Sequence, residues 1–309
     1  MKHDVFISYS SKDSAMAQEI CHLLEDCNIK CLMAPRDIPA GSGYNSAVAQ
    51  DIKECKAVVL LFSESSVFSR RVVDDLFAAA FFDYKPIVSY KIEPVAIEDD
   101  EESLCLFPML YNGFCVESYS DFRAGFAELI KIVSNITIGK TYKVGDYYNE
   151  NGKEGVVFEV SADGCHGKIV SMKHSVDELQ WTSDESEWGR VLCADWEDNG
   201  AFNMGKVIAI PGWKEKYPAF AWCANLGYGW YLPAIKELEV FTLNDSVRKL
   251  VNQTLVSKEG AKIDDDDLGS YWSSTEVYHL DWVWRVPVYG STLYDRKNYN
   301  YYVRAVSAF

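Results

Sequence analysis

The first 180 residues contain no tryptophan, while all nine tryptophans lie from Trp181 onward. So sharp a step in one residue type argues against a uniformly built chain. It points to two differently built domains, and 309 residues suffice for each to have its own core. Lysine and arginine are scarce beside the acids, 30 against 46, and form no basic run. A net charge of −16 therefore argues against a nucleic-acid backbone as the main ligand. No segment holds the roughly 20 consecutive apolar residues of a membrane helix, and MKHDVFISYS has no apolar stretch of signal-peptide length behind a basic leader. The expected location is cytoplasmic, with no membrane or nucleic-acid partner. The nine cysteines lack CxxC pairing and histidines at metal spacing, so they read as reduced, buried, small apolar residues, and no metal site is expected. GxSxG, Walker and zinc signatures are missing too, which leaves His166 and His174 as structural histidines.

What the chain does have, up to about residue 136, is alternation. Strand-like runs (VFISYS, KCLMAP, AVVLLFS, KPIVSYKI) alternate with helix-like ones, the pattern of a parallel sheet covered by helices. The first helix is expected to be capped by Asp13 or Ser14, with Ala17, Ile20, Cys21 and Leu24 at helical spacing. A second carries Tyr44, Val48, Ile52 and Cys55, and the last, from about Ser120 to Val133, places Phe122, Phe126, Leu129, Ile130 and Val133 on one face. EDDEES (98–103) reads as a solvated loop. After Ile136 the pattern changes to strand-like segments broken by Asn151-Gly152 and Asp163-Gly164, both tight-turn dipeptides. The expected domains are 1–136 and 141–309.

The run His3-Asp4-Val5-Phe6-Ile7-Ser8-Tyr9-Ser10-Ser11-Lys12-Asp13, the loop Ala34 to Gly41 with Arg36-Asp37, and the serines at 63, 66 and 69 together resemble the Toll/interleukin receptor (TIR) domain in its bacterial form. The resemblance implies a flavodoxin-like five-stranded parallel sheet with helices on both faces. In such α/β folds ligands gather beyond the carboxyl ends of the strands. It further implies cleavage of NAD, a substrate rather than a resident cofactor, at the nicotinamide–ribose bond, by hydrolysis or by cyclisation of the ADP-ribose. One carboxylate suits that chemistry, because the barrier is oxocarbenium character on the ribose.

Active relatives carry this carboxylate as a Glu in the pattern SxxSxxSxxVxxE. The same register here runs Ser63, Ser66, Ser69, Val72 and then Asp75. Helix geometry alone does not choose Asp75 over Asp74, since both flank the apolar face of Val72, Val73, Leu76, Phe77 and Ala80. Only the family register selects Asp75 as the catalytic residue. Aspartate is shorter than glutamate by one methylene, about 1.5 Å, and misplacement of that order can lower a rate about 100-fold. The resemblance also implies NAD-binding roles for Ser8, Ser10, Ser11, Arg36, Asp37 and Ser63, and self-association that completes the site. Each position has a plain reading as well: Ser10, Ser11 and Asp13 as a turn and cap, Arg36-Asp37 as a surface ion pair.

The C-terminal part resembles the C-type-lectin-like modules related to formylglycine-generating enzymes, through GVVFEVSADGCHGKIVSM (155–172), GWYLPAIKEL (229–238), YWSSTE (271–276) and YVRAVSAF (302–309). An α+β fold follows from that resemblance, with the aromatics first of all as core. Tyr278, Asp281, Trp282, Trp284, Tyr289, Tyr294, Asn298 and Tyr299 are a candidate surface for an unknown protein or ligand. Asp264 to Asp267 lacks the spacing of a calcium loop. The expected function is an NAD-cleaving TIR enzyme in bacterial anti-phage immunity with a C-terminal sensor; the rival expectation is a catalytically weak or inactive adaptor that works through assembly.

Overall fold

The computed structural model describes residues 3–34, 36–37, 52, 54–77, 79, 85–95, 114–161, 164–263, 269–277 and 281–309. The chain forms two compact units, Met1–Lys140 and Thr141–Phe309. The acidic run 98–103, the loop beyond Asp37, most of the predicted second helix, Asp163 and Asp264 to Asp267 lie outside the described residues.

In the first unit five strands, β1 (Val5–Ser8), β2 (Cys31–Met33), β3 (Ala57–Phe62), β4 (Ile87–Lys91) and β5 (Phe114–Glu117), form one sheet in the order β2-β1-β3-β4-β5. Every pairing is parallel. All six residues of β3 are buried, as a central strand covered on both faces requires. Its alternate side chains serve two cores. Val59 and Leu61 join Val5, Ile7 and the inner faces of α1 (Ser14–Asp26) and the last helix of the unit, while Val58, Leu60 and Phe62 join Phe6, Val72 and Leu76. The expected flavodoxin-like sheet is therefore present.

Three helices matter for the site or the boundary. Directly after β3, α2 (Glu64–Val67) is capped by Ser63, whose Oγ accepts from the Ser66 amide at 3.1 Å while Ser66 Oγ accepts from the Ser63 amide at 2.9 Å. One turn later α3 (Arg70–Phe77) begins, with Ser69 Oγ accepting from the Val72 amide at 3.4 Å. The last helix of the unit, α4 (Phe122–Ile138), is capped by Asp121 and stopped by Gly139 at φ 68°, a left-handed position that suits glycine. It runs five residues beyond the predicted end at Val133, because Ile136 still meets the core. The predicted cap at Asp13 is occupied by that residue, but its side chain makes no capping bond.

The second unit is built mostly from antiparallel sheets. A five-stranded sheet runs β10-β15-β8-β7-β6, from β6 (Tyr147–Glu150), β7 (Lys153–Val160), β8 (Gly167–His174), β10 (Trp230–Tyr231) and β15 (Arg304–Ala308). A three-stranded sheet runs β11-β12-β13, with β11 Ser270–Glu276, β12 Trp282–Pro287 and β13 Leu293–Arg296, and the short β9 (Leu179–Gln180) pairs with β14 (Asn300–Tyr301). Asn151 and Gly152, both at positive φ (54° and 76°), turn β6 into β7 as that dipeptide predicts. His174 is a packing residue, edge-on to Tyr302 at 5.4 Å.

The buried charges of this unit are paired or held by backbone. Glu237 accepts from the amides of Gly200 and Ala234 and from Tyr231, and pairs with Lys168 at 3.0 Å. Glu276 pairs with Lys297 at 2.5 Å and accepts from the amides of Leu192 and Ala194. Arg304, with no exposed surface, donates to the carbonyl oxygens of Ser171, Met172, Ala261 and Lys262. GWYLPAIKEL, YWSSTE and YVRAVSAF thus each contribute a buried charged residue that fixes a loop.

Candidate functional site

At the carboxyl end of β1 the first unit opens into a cavity of about 430 Å³, lined by Phe6, Ile7, Tyr9, Ser11, Ser14, Ala34, Ser69, Arg71 and Asp75. The fold dictates its place. β1 leads into the turn carrying Tyr9 and Ser11, Ala34 follows the end of β2, and Ser69, just before α3, joins Arg71 and Asp75 of that helix in the lining. Tyr9 ties two walls together, its hydroxyl donating to the carbonyl oxygen of Ala34.

The two candidate carboxylates part company here. Asp74 is exposed, whereas Asp75 is only 6% exposed, on the side where Val72 and Leu76 pack beneath the sheet. Its Oδ2 accepts a 3.0 Å hydrogen bond from Ser8 Oγ, at the end of β1. Burial pushes the Asp75 carboxyl up to about 7, opposed by the Ser8 hydrogen bond and the Arg71 charge and assisted by Asp74. The Tyr9 hydroxyl is also raised by burial, with Ser14 and Arg71 acting the other way. The cavity therefore has a deep end of Phe6, Ile7, Ala34 and Asp75, all buried, and a mouth bearing exposed Ser11 and Arg71.

Of the residues singled out from sequence, Ser8 and Asp75 meet, and Ser11 lines the same cavity. Ser10 is buried and does not line it. Ser63, besides capping α2, donates to Asp13 Oδ2 at 2.6 Å, which accounts for an Asp13 that caps nothing. Arg36 is committed elsewhere: it grips both oxygens of Glu25 at 3.0 and 3.2 Å, Asp37 at 3.0 Å, and the carbonyl oxygen of Cys31 at 3.0 Å. Asp37 in turn accepts from the Met33 amide at 2.9 Å. Arg36-Asp37 thus shapes the loop after β2.

Tyr9, Ser14, Ser69 and Arg71 line the cavity without having been named as site residues. For Arg71 the signal was in the chain: it stands four residues before Asp75, hence one turn back on the same helix face. Among the described residues no group of three or more His, Cys, Asp or Glu is arranged to hold a metal ion. Nor is any helix among them long and apolar enough to cross a membrane.

In the second unit, β12 and β13 bring three of the predicted surface aromatics together. The Tyr294 ring stands edge-on to Trp282 at 5.2 Å and to Trp284 at 5.3 Å. Tyr289 and Tyr299 are exposed, and Tyr278 lies outside the described residues.

Residues 5–130 match the family model described as TIR domain. No curated protein matches the chain. Among solved structures it is similar to the TIR domain of the Toll-related receptor TRR-2 from Hydra magnipapillata, 16% identical with a TM-score of 0.35 over 42% of this chain and 98% of that one. It is also similar to the TIR domains of the activated Roq1 resistosome recognising the pathogen effector XopQ, 20% identical with a TM-score of 0.28 over 43% and 84%. A metazoan TIR-STING receptor from C. gigas is 20% identical with a TM-score of 0.31, over 43% of this chain and 40% of that receptor chain.

Proposed function

From the premise that residues 5–130 are a TIR domain, we propose that the first unit cleaves NAD at the nicotinamide–ribose bond. The observation that carries this reading is a buried carboxyl, Asp75, held by Ser8 in a cavity at the carboxyl end of β1. In the proposed step the bond from the ribose carbon to the ring nitrogen breaks, and its electron pair leaves with neutral nicotinamide. The positive character left on the ribose is stabilised by ionised Asp75. Water then adds to the carbon and loses a proton, giving ADP-ribose; alternatively a nitrogen of the adenine adds, giving a cyclic product. In this reading copies of the domain assemble to complete the site, the second unit senses a protein or ligand through its aromatic face, and the protein acts in the bacterial cytoplasm in anti-phage immunity.

A second reading, a non-catalytic adaptor, is favoured by one observation. Asp75 stands one methylene short of the family glutamate and turns what carboxyl it has toward Ser8. Nicotinamide release from NAD by concentrated wild type, Asp75→Ala and Asp75→Glu decides between the two. The enzymatic reading expects release by wild type, loss in Asp75→Ala of at least about 100-fold, and activity at or above wild type in Asp75→Glu. Silence of the wild type under assembling conditions, with release by Asp75→Glu alone, would establish the adaptor.

A further inference from the structure

We infer that Arg71 sets the specificity of this cavity, as the group that receives the pyrophosphate of a dinucleotide whose nicotinamide ribose lies against Asp75. The inference rests on the NAD reading for its substrate class and goes beyond it in assigning a residue and an orientation.

Among the described residues the lining holds one cation and one acid, Arg71 and Asp75, and otherwise hydroxyls and apolar groups. Both acid and cation stand on α3 four residues apart, so their Cβ atoms lie about 5–6 Å from each other along the helix axis. Their exposure differs sharply: Asp75 is buried at the deep end and Arg71 is exposed at the mouth. Arg71 lines the cavity together with Asp75 and Tyr9, and its charge favours the ionised form of both. Once Asp75 is ionised the cavity is polarised, negative among its buried residues and positive among its exposed ones.

NAD has the matching polarity. Its nicotinamide ring carries positive charge next to the bond that breaks, and its two phosphates follow one ribose further on. A ligand entering with the ring inward sets the positive ring and ribose against Asp75 and brings the phosphates to the rim, where a guanidinium donates in a planar fork to phosphate oxygens. The reverse entry, adenine inward, brings the same phosphates to the rim but sets a neutral ring against Asp75, so Arg71 holds the pyrophosphate while the carboxylate favours the nicotinamide end. Exposed Ser11 and partly buried Ser14 and Ser69 surround the path between, with hydroxyls suited to ribose.

The test uses the full chain and two probes, ADP-ribose, which keeps the pyrophosphate, and nicotinamide riboside, which has none. Calorimetric Kd values are compared for wild type, Arg71→Gln and Arg71→Lys at about 50 and about 200 mM salt, with thermal melts to show that each variant is folded. For ADP-ribose, Arg71→Gln is expected to bind about 10- to 100-fold more weakly and to lose most of the salt dependence, with Arg71→Lys recovering part of the affinity. Riboside binding is expected to stay within about 3-fold of wild type. Equal ADP-ribose affinity in Arg71→Gln, an equal loss for both probes, or no binding of ADP-ribose by wild type each overturns the assignment. Arg71-dependent binding of ADP-ribose by a chain that releases no nicotinamide would instead sink the NAD-cleavage reading and leave this one standing.

Discussion

At the scale of single residues, Asp75 shows where sequence reasoning stops and packing takes over. Periodicity leaves Asp74 and Asp75 tied, because both flank the apolar stripe of α3. The tie is broken by Ser8, 67 positions away, and by the burial of Val72 and Leu76 under the sheet. The serine register selected the same residue, but only by resemblance. What no local pattern conveys is the burial, and it has two consequences of opposite sign. The folded state holds the Asp75 proton up to about pH 7, whereas an ordinary aspartate releases it near 3.8. Asp75 therefore contributes a penalty that is absent at acid pH, grows as pH rises from about 4 to about 7, and is constant above that, reaching ~4 kcal/mol at most. Asp75→Asn keeps an oxygen for Ser8 and removes the ionisation. Its Tm is expected to match wild type near pH 4 and to exceed it at pH 8 by as much as ~10 °C, checked by thermal melts across that range. The proposed NAD cleavage requires the ionised form, so kcat/KM for NAD is expected to rise through about pH 7 and level off.

At the scale of elements, strands and helices were largely legible because their causes are local. AVVLLF is apolar at every position, and only a strand buried on both faces uses that. The end of α4 was missed by five residues because Ile136, after the polar Ser134 and Asn135, breaks the visible stripe while still meeting the core. The three spaced serines were legible as a motif yet not in their mechanical role. Ser63 caps α2 and holds Asp13, Ser66 closes the capping box, and Ser69 opens α3. A spacing of three fits two helix starts in succession, and it is this pair of short helices that turns Asp75 toward β1. Ser63→Ala removes the cap and the partner of Asp13 together, and is expected to lower stability by about 1–2 kcal/mol in urea unfolding. With Ser63 off the cavity wall, the KM for NAD is expected to remain within about 3-fold of wild type; a larger rise would give Ser63 a direct part in binding.

At the scale of the whole molecule, the tryptophan step marks a change of construction, from a parallel sheet with helices on both faces to mostly antiparallel sheets with buried ion pairs. Composition conveyed that much, because tryptophan occurs in the second unit alone, where Trp181, Trp230 and Trp272 fill the core. Charge at this scale bears on assembly. A net charge of −16 makes copies repel one another, and the repulsion is screened over about 10 Å at 0.1 M salt and further as salt rises. An enzyme whose site is completed by a neighbouring copy should then work faster per protomer when it is concentrated and when salt is raised. The phosphate contact assigned to Arg71 responds to salt in the opposite direction, so the two effects are separated by saturating with NAD, where weakened binding no longer limits the rate. Under saturation, nicotinamide released per protomer is expected to rise several-fold with protein concentration, and to rise again from about 50 to about 150 mM salt at fixed protein. A rate per protomer independent of both would mean that each copy carries a complete site, with Asp75, Ser8 and Arg71 sufficient in one chain.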